Sequence, residues 1–418
     1  MKYDMTLTEK QNLTAYLISI ATITIGGSVY NFAISYFLLN ETGSALYFSI
    51  NLAISSITFL IITPFSGVLT DFLNRRNIII YGEFILMLSV LLLFIVTYFY
   101  GLSLFSIYIV TFIRSLFNAI VNNAFSASVS NMFHIDNLQK VLGLSSSIQS
   151  SATFLGPILG GLLFGISSFE LVLFIFLLLS LISFLFDYSI NFELFKKENI
   201  SNNFITDSKI NYFKKFLDEI KSGFKYLVSV PILSTVIFVG VFINFFNAGD
   251  MVLPEKMMIN VLDFSPIQVG IVNGITACGT VVAGIYLANT KKIENHLNVM
   301  RWGFIICAFI TILIPIPIYL EKHFQFNFLY LSTILFIKFF VLALINVPFI
   351  RIIHEETEDY MKGRVFSGLG VISSAIIPIA FILYGFIYDL GFYFLPNIIS
   401  AVIIILLSII YFNPKKFI

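Results

Sequence analysis

Long apolar runs separated by short polar intervals make up most of this chain. A stretch of about 20 mostly apolar residues, wound as a helix, is long enough to cross a hydrocarbon core of about 30 Å. Twelve such stretches are present, over 13–39, 46–70, 78–98, 104–130, 141–166, 169–189, 231–253, 266–289, 299–319, 326–350, 364–388 and 393–412. None alternates with the period of two that a membrane barrel requires. Backbone polar groups cannot stay unpaired in lipid, so every run is expected to be a helix. The pattern predicts an all-α membrane protein.

One polar interval, about 190–230, is far longer than the others. It carries Lys196, Lys197, Lys209, Lys214, Lys215, Lys221 and Lys225 among its acids and ends at Pro231. Phe213, Phe216, Ile220, Phe224 and Leu227 recur there at three and four residues, which lines up an apolar stripe along a helix. Such a segment is either an amphipathic helix lying on the membrane surface or an ordinary linker. The chain is thus expected to divide into an N-terminal six-helix bundle (1–190), a cytoplasmic amphipathic linker (191–230) and a C-terminal six-helix bundle (231–418).

Six spans on each side suggest an internal repeat. The fourth span reads FIRSLFNAIVNNAF from Phe112 and the tenth reads FIKFFVLALINVPF from Phe336. At one constant offset Phe112 meets Phe336, Arg114 meets Lys338, Asn122 meets Asn346 and Phe125 meets Phe349. A cation in mid-span with an Asn eight residues later, in both places, predicts two pseudo-symmetric bundles.

Composition agrees: 58% of residues are hydrophobic and only 11% charged, where soluble chains carry about a quarter. The distribution of charge adds orientation. If the N-terminus is inside, Lys256 and Lys322 lie outside, Arg114 and Lys338 lie within spans, and the remaining 20 of the 24 Lys and Arg are cytoplasmic. That bias puts both termini in the cytoplasm of a cell-membrane protein. A net charge of +1 gives no electrostatic case for nucleic acid. Cys278 and Cys307 fall on different spans and suggest neither a disulfide framework nor a metal site. His134, His296, His323 and His354 are placed in loops, no catalytic constellation or nucleotide-binding loop is present, and no cofactor is implied.

Arg114 and Lys338 sit about ten residues into their spans, roughly 15 Å deep at 1.5 Å per residue. A charge at that depth costs roughly 2.5–3.5 kcal/mol on insertion scales and should face protein or water. Arg114, Asn118, Asn122 and Ser126 follow at i+4, a polar stripe suited to lining an aqueous route; alternatively Arg114 ties helices together through an acid or carbonyls. Ser28, Asn31 and Ser35 on the first span, with Asn244 and Asn247 on the seventh, are either ligand-binding groups or interhelical glue. Among intramembrane acids, Glu83 alone is deep enough to carry a coupling proton, with a salt-bridge or interfacial role as the alternative, whereas Asp187 and Asp250 are placed near span ends.

Two motifs narrow the reading. Gly67-Val-Leu69-Thr-Asp71-Phe-Leu-Asn74-Arg75-Arg76 resembles the G-x-L-a-D-r-x-G-r-k loop of the major facilitator superfamily. Gly143, Ala152 and Gly156-Pro157-Ile-Leu-Gly160-Gly161 resemble its fifth-helix antiporter motif, with Ala152 in place of one Gly. The stretches 32–45, 136–161 and 361–370 are similar to the branch holding macrolide-efflux proteins and the enterobactin exporter. The resemblance implies the major facilitator fold, with Asp71, Arg75 and Arg76 as a cytoplasmic latch and Pro157 as a kink that seals one side. It also implies export of a small amphiphile, macrolide-like or siderophore-like, by a monomer in exchange for protons. The substrate-cavity and coupling candidates are Arg114, Asn118, Asn122, Lys338, Asn346, Asn31, Asn247 and Glu83. The alternatives are an importer of a nutrient or metabolite, and a non-transporting sensor or scaffold.

Overall fold

The computed structural model describes residues 5–101, 103–195, 218, 221–290, 295–320 and 324–412. Twelve helices among them are long and apolar enough to cross a membrane. We number them α1 (Leu7–Thr42), α2 (Ala45–Phe72), α3 (Arg75–Tyr100), α4 (Leu104–Met132), α5 (Ile135–Ile166), α6 (Phe169–Ser189), α7 (Pro231–Val261), α8 (Pro266–Asn289), α9 (His296–Ile318), α10 (Phe324–Glu356), α11 (Asp359–Asp389) and α12 (Phe394–Tyr411). The chain is an all-helical, multi-pass membrane protein.

Several helices outrun the apolar stretches that predict them, because a helix that has begun in lipid continues wherever its end finds a cap. Asn74 caps α3 by accepting from the backbone N–H groups of Arg76 and Asn77. Ser265 and Gln268 close a capping box on α8. α10 carries on to Glu356, which puts His354 in its last turn and not in a loop; His296 likewise opens α9.

The helices fall into two compact units, one of residues 1–37 and 54–206, the other of 38–53 and 207–418. In the first unit, α3 packs along both α4 and α6. One end of that unit is closed by Ala15, Tyr16, Ile79, Val129, Met132 and Phe133. Polar groups lock the same end: Glu9 Oε1 accepts from the His134 N–H and from Asn137 Nδ2, each at 3.0 Å. Asn12 and the Asn191 backbone exchange bonds of 2.9 and 3.0 Å.

In the second unit α10 packs against α8 and α9, and α9 against α12. Two of its helices are broken. α7 breaks at Ala248, and α11 at Ile376, just before Pro378. Asn244, a ligand candidate by sequence, donates instead to the Ser373 carbonyl at 3.1 Å, beside the α11 break. Most of the linker lies outside the described residues. Its last turns, 221–229, are helical, and Leu227 is buried among Leu233, Ile237, Ile353, Met361 and Val365. At this end Leu227 of the apolar stripe packs on protein, while Phe224 remains exposed.

The 38–53 segment is tied into the second unit by charge. Asp389 accepts from the Ser44 hydroxyl and from the first N–H groups of α2, at Ala45 (2.7 Å) and Leu46 (3.0 Å). Lys256 completes the cluster, donating to the Gly43 carbonyl and lying 3.2 Å from Asp389. Far from standing free in an outer loop, Lys256 is buried in α7.

Close helix approach depends on small residues. A Cβ on Gly279 of α8 would collide with the Phe336 carbonyl of α10, whereas one on Gly284 would meet nothing. Gly279→Val is expected to destabilise the purified protein by about 1–3 kcal/mol through overpacking. Gly284→Ala should leave the melting temperature, followed by fluorescence-detected size exclusion, unchanged.

Candidate functional site: buried charges and polar helix faces

Arg114 and Lys338 are both buried, at 7% and 0% exposure, so neither opens onto a surface. Their partners come from equivalent helices. The Arg114 guanidinium lies over the Tyr30 ring of α1 at 4.4 Å and the Phe176 ring of α6 at 4.6 Å, contacts that favour a desolvated cation. Glu83 of α3 is within electrostatic reach. Lys338 of α10 forms a direct ion pair with Asp250 of α7 and donates to Thr311 Oγ1 of α9 at 2.6 Å. In each unit, then, the cation meets the first and third helices of its own six.

The Lys338 site continues into a network. The Thr311 carbonyl accepts from Asn397 Nδ2 of α12 at 3.0 Å, and Asn397 Oδ1 accepts from the Tyr388 hydroxyl at 2.8 Å. Asp250 is thus not a group at the end of a span; it is the buried counter-ion of Lys338. Nothing in the sequence joins two residues so far apart, although an acid and a base both at membrane depth are a cue to pairing.

The polar stripe of α4 turns steadily from core to surface: Arg114 is buried, Asn118 half-buried, and Asn122 and Ser126 exposed. On α1 Ser28 packs against α5, Ser35 donates back to the Asn31 carbonyl at 2.8 Å, and only the Asn31 side chain is exposed. Asn346 of α10 is exposed and Asn247 of α7 half-buried.

A further polar face was missed by sequence reasoning. On α5, Ser146, Gln149, Ser150 and Thr153 are all exposed. Successive residues turn about 100° round a helix, which places these four on one side, joined by the exposed Leu142, and the exposed Leu144, Leu155, Leu159, Leu162 and Ile166 on the other, joined by Ser151. The leucine side suits lipid. A polar side exposed directly opposite suits water. The run SSSIQSSAT at 145–153 carries the signal, had the spacing of its polar residues been compared with that of the leucines.

The fifth-helix motif sets α5 against α1. A Cβ on Gly156 would strike Ser28, and one on Gly160 would lie 2.9 Å from Phe32. Gly161 is buried, Gly143 borders open space, and the helix continues through Pro157. In the loop motif, Arg75 Nη1 donates to the Ala127 carbonyl of α4 at 2.5 Å and Nε to Thr70 at 3.3 Å. Arg76 reaches the Tyr188 carbonyl of α6 at 3.4 Å. Asp71 is exposed at a cleft that Arg75 and Arg76 also line, paired among the described residues with neither arginine. Gly67 has no neighbour near its Cβ position. The loop thus ties α2, α3, α4 and α6 of the first unit through its arginines.

The family model described as Major Facilitator Superfamily matches residues 16–364. The chain belongs to the major facilitator superfamily. Among curated superfamily relatives, Macrolide efflux protein A of Streptococcus pyogenes is 23% identical over 365 residues, covering 86% of this chain and 85% of the relative. Macrolide efflux protein A of Enterococcus faecalis is 23% identical over 342 residues, 81% of this chain and 99% of the relative. Solved structures share the fold. A bacterial homologue of the iron transporter ferroportin, in an inward-facing state, has a TM-score of 0.74 at 14% identity, covering 98% of this chain and all of that one. A POT family transporter in complex with a thioalcohol-conjugated peptide has a TM-score of 0.70 at 12% identity, with 95% of each chain covered. The protein is a transporter of this superfamily.

The ion pair in the second unit gives a direct test of what holds it. Lys338→Met leaves Asp250 buried without its cation and should cost about 3–5 kcal/mol of stability. Adding Asp250→Leu should recover most of that loss, as read by thermal unfolding in detergent; a double variant no more stable than the single would mean that the pair does not act as a unit.

Proposed function

We propose that this superfamily member exports a small amphiphilic molecule, macrolide-like or siderophore-like, by alternating access coupled to proton antiport. The observation that carries the reading is the exposed polar face of α5, opposite its leucine face, together with exposed Asn31 and Asn122 on α1 and α4. These are the groups a water-filled route through the membrane requires, and a scaffold without transport has no use for them. Asn346 and Asn247 supply comparable groups from the second unit.

Export, as opposed to uptake, is supported by the fifth-helix motif at Gly156–Pro157–Gly160–Gly161 and by curated relatives that carry macrolide efflux in their names. The protein works as a monomer of two six-helix halves, 1–190 and 231–418, joined by 191–230. Both termini face the cytoplasm of the cell membrane, the orientation that the Lys and Arg bias favours. Arg75 and Arg76 act as a latch on the cytoplasmic side by holding α3 to α4 and α6. The buried Arg114 acts on transport through Glu83 and Tyr30, not by touching the substrate from an open wall.

Everted vesicles containing the protein should accumulate erythromycin when energised, and an uncoupler should abolish the accumulation. Arg114→Ala should lower the initial rate by about tenfold or more, the scale of a coupling free energy of 1–3 kcal/mol, with membrane levels of the protein unchanged. Accumulation that ignores the uncoupler but needs sodium would remove proton coupling, and undiminished transport by Arg114→Ala would leave Arg114 a purely structural residue.

A further inference from the structure

The two units differ in how their buried charges balance. In the second, Lys338 faces one carboxylate, Asp250, in direct contact. In the first, Arg114 is accompanied by two acids. Glu83 is 4% exposed and Asp187 is fully buried. Glu83 lies within electrostatic reach of both Arg114 and Asp187, whereas among the described residues the titratable groups acting on Arg114 are Tyr30 and Glu83.

The backbone brings the two carboxyls together. Arg76 and the Tyr188 carbonyl, 3.4 Å apart, tie the start of α3 to the end of α6. From that end Glu83 lies eight residues into α3, about 12 Å, and Asp187 two residues into α6, about 3 Å, at 1.5 Å per residue. Side chains lean toward the N-terminus of their own helix. The helices run in opposite directions, so the Glu83 side chain leans back toward this end and that of Asp187 leans away from it, and they converge.

Neither acid is fully satisfied. Both carboxylate oxygens of Asp187 and Glu83 Oε2 lack a hydrogen-bond partner, as does the buried hydroxyl of Tyr30 on α1. Ser19, also on α1, is within hydrogen-bonding reach of Asp187 and contacts Ser183 Oγ at 3.0 Å, so at most one neutral donor from Ser19 faces this carboxyl. With every group ionised, two carboxylates and one guanidinium leave an uncompensated negative charge among apolar neighbours, an arrangement that burial strongly disfavours. A single proton removes it.

We propose that Glu83 and Asp187 form the proton site of this transporter, holding one exchangeable proton between them beside the Arg114 guanidinium. This rests on the proton-antiport reading and names the groups that would serve it. A proton from water binds a carboxylate oxygen of the pair to give one neutral acid and later returns to water; no other bond changes. Asp187, near the end of α6 at which α3 begins, is placed to exchange with that side. A metal is a poor alternative occupant, since no cluster of three or more acid, His or Cys ligands occurs among the described residues.

Charge counting makes the test quantitative. Infrared difference spectra of the full-length protein in lipid nanodiscs, perfused between about pH 5 and pH 9, report the C=O stretch of protonated carboxyl groups. The wild type should show such a band persisting at neutral pH. Asp187→Asn should lower its intensity by about one carboxyl group, and Arg114→Gln, which takes away the cation, should raise it by about one as Glu83 also becomes neutral. A wild type with no neutral-pH band, or an Asp187→Asn variant that keeps the band intact, would overturn the proposal. In proteoliposomes, the acceleration of erythromycin export by an imposed pH gradient should fall to about onefold in Asp187→Asn; a gradient response equal to wild type would also overturn it. A wild type that moves no erythromycin would defeat the export reading instead, and the spectra would still decide the proton site.

Discussion

An ion in the interior of a membrane protein must be neutralised by its neighbours, and much of this architecture follows from that constraint. Lipid offers no water to solvate a charge, so each buried ion needs an opposite charge, an aromatic face or a proton. Lys338 meets Asp250 directly, joining α10 to α7 and, through Thr311, to α9. Arg114 is instead held between the rings of Tyr30 and Phe176 with a carboxyl nearby. The same logic fixes the 38–53 segment, where Asp389 satisfies the N–H groups that open α2 and Lys256 balances Asp389. Charges are few in this chain, and those that are buried sit where helices must be joined.

Two surfaces of opposite character share the rest. Exposed Phe and Leu, such as Phe59, Phe84, Leu92 and Phe309, form the outward face that a bilayer would cover. Exposed polar groups on α1, α4, α5 and α10 cannot serve that purpose. In the proposed transport cycle they receive the substrate, while the buried ions stay clear of it and respond to the proton. That separation assigns hydrogen-bonding groups to recognition and ionic groups to coupling.

Much of the fold was legible in the sequence because span length and charge placement are local properties. Twelve apolar runs led to twelve helices, and the match of Arg114 with Lys338 pointed to two cations that are both buried against equivalent helices. What a residue touches was not legible. The apolar run ending at 253 puts Asp250 near a span end, whereas α7 continues to Val261; Asp187 does lie near the end of α6, but no local feature tells an acid at the interface from one buried under a neighbouring helix. Asn244 read as a ligand and proved to satisfy a carbonyl at the α11 break. The polar face of α5 shares its helix with the small-residue motif at Gly156–Gly161, and only the spacing of its Ser, Gln and Thr against the leucines distinguishes a water-facing side from helix-packing positions.

The central claim is that an amphiphile moves one way in exchange for a proton held in the first unit. Purified protein in a weakly buffered solution containing a pH indicator would test it most directly on addition of erythromycin. The account predicts release of about one proton per molecule bound, absent in Asp187→Asn. Binding with no proton released by the wild type, at any pH at which the protein stays folded, would contradict it.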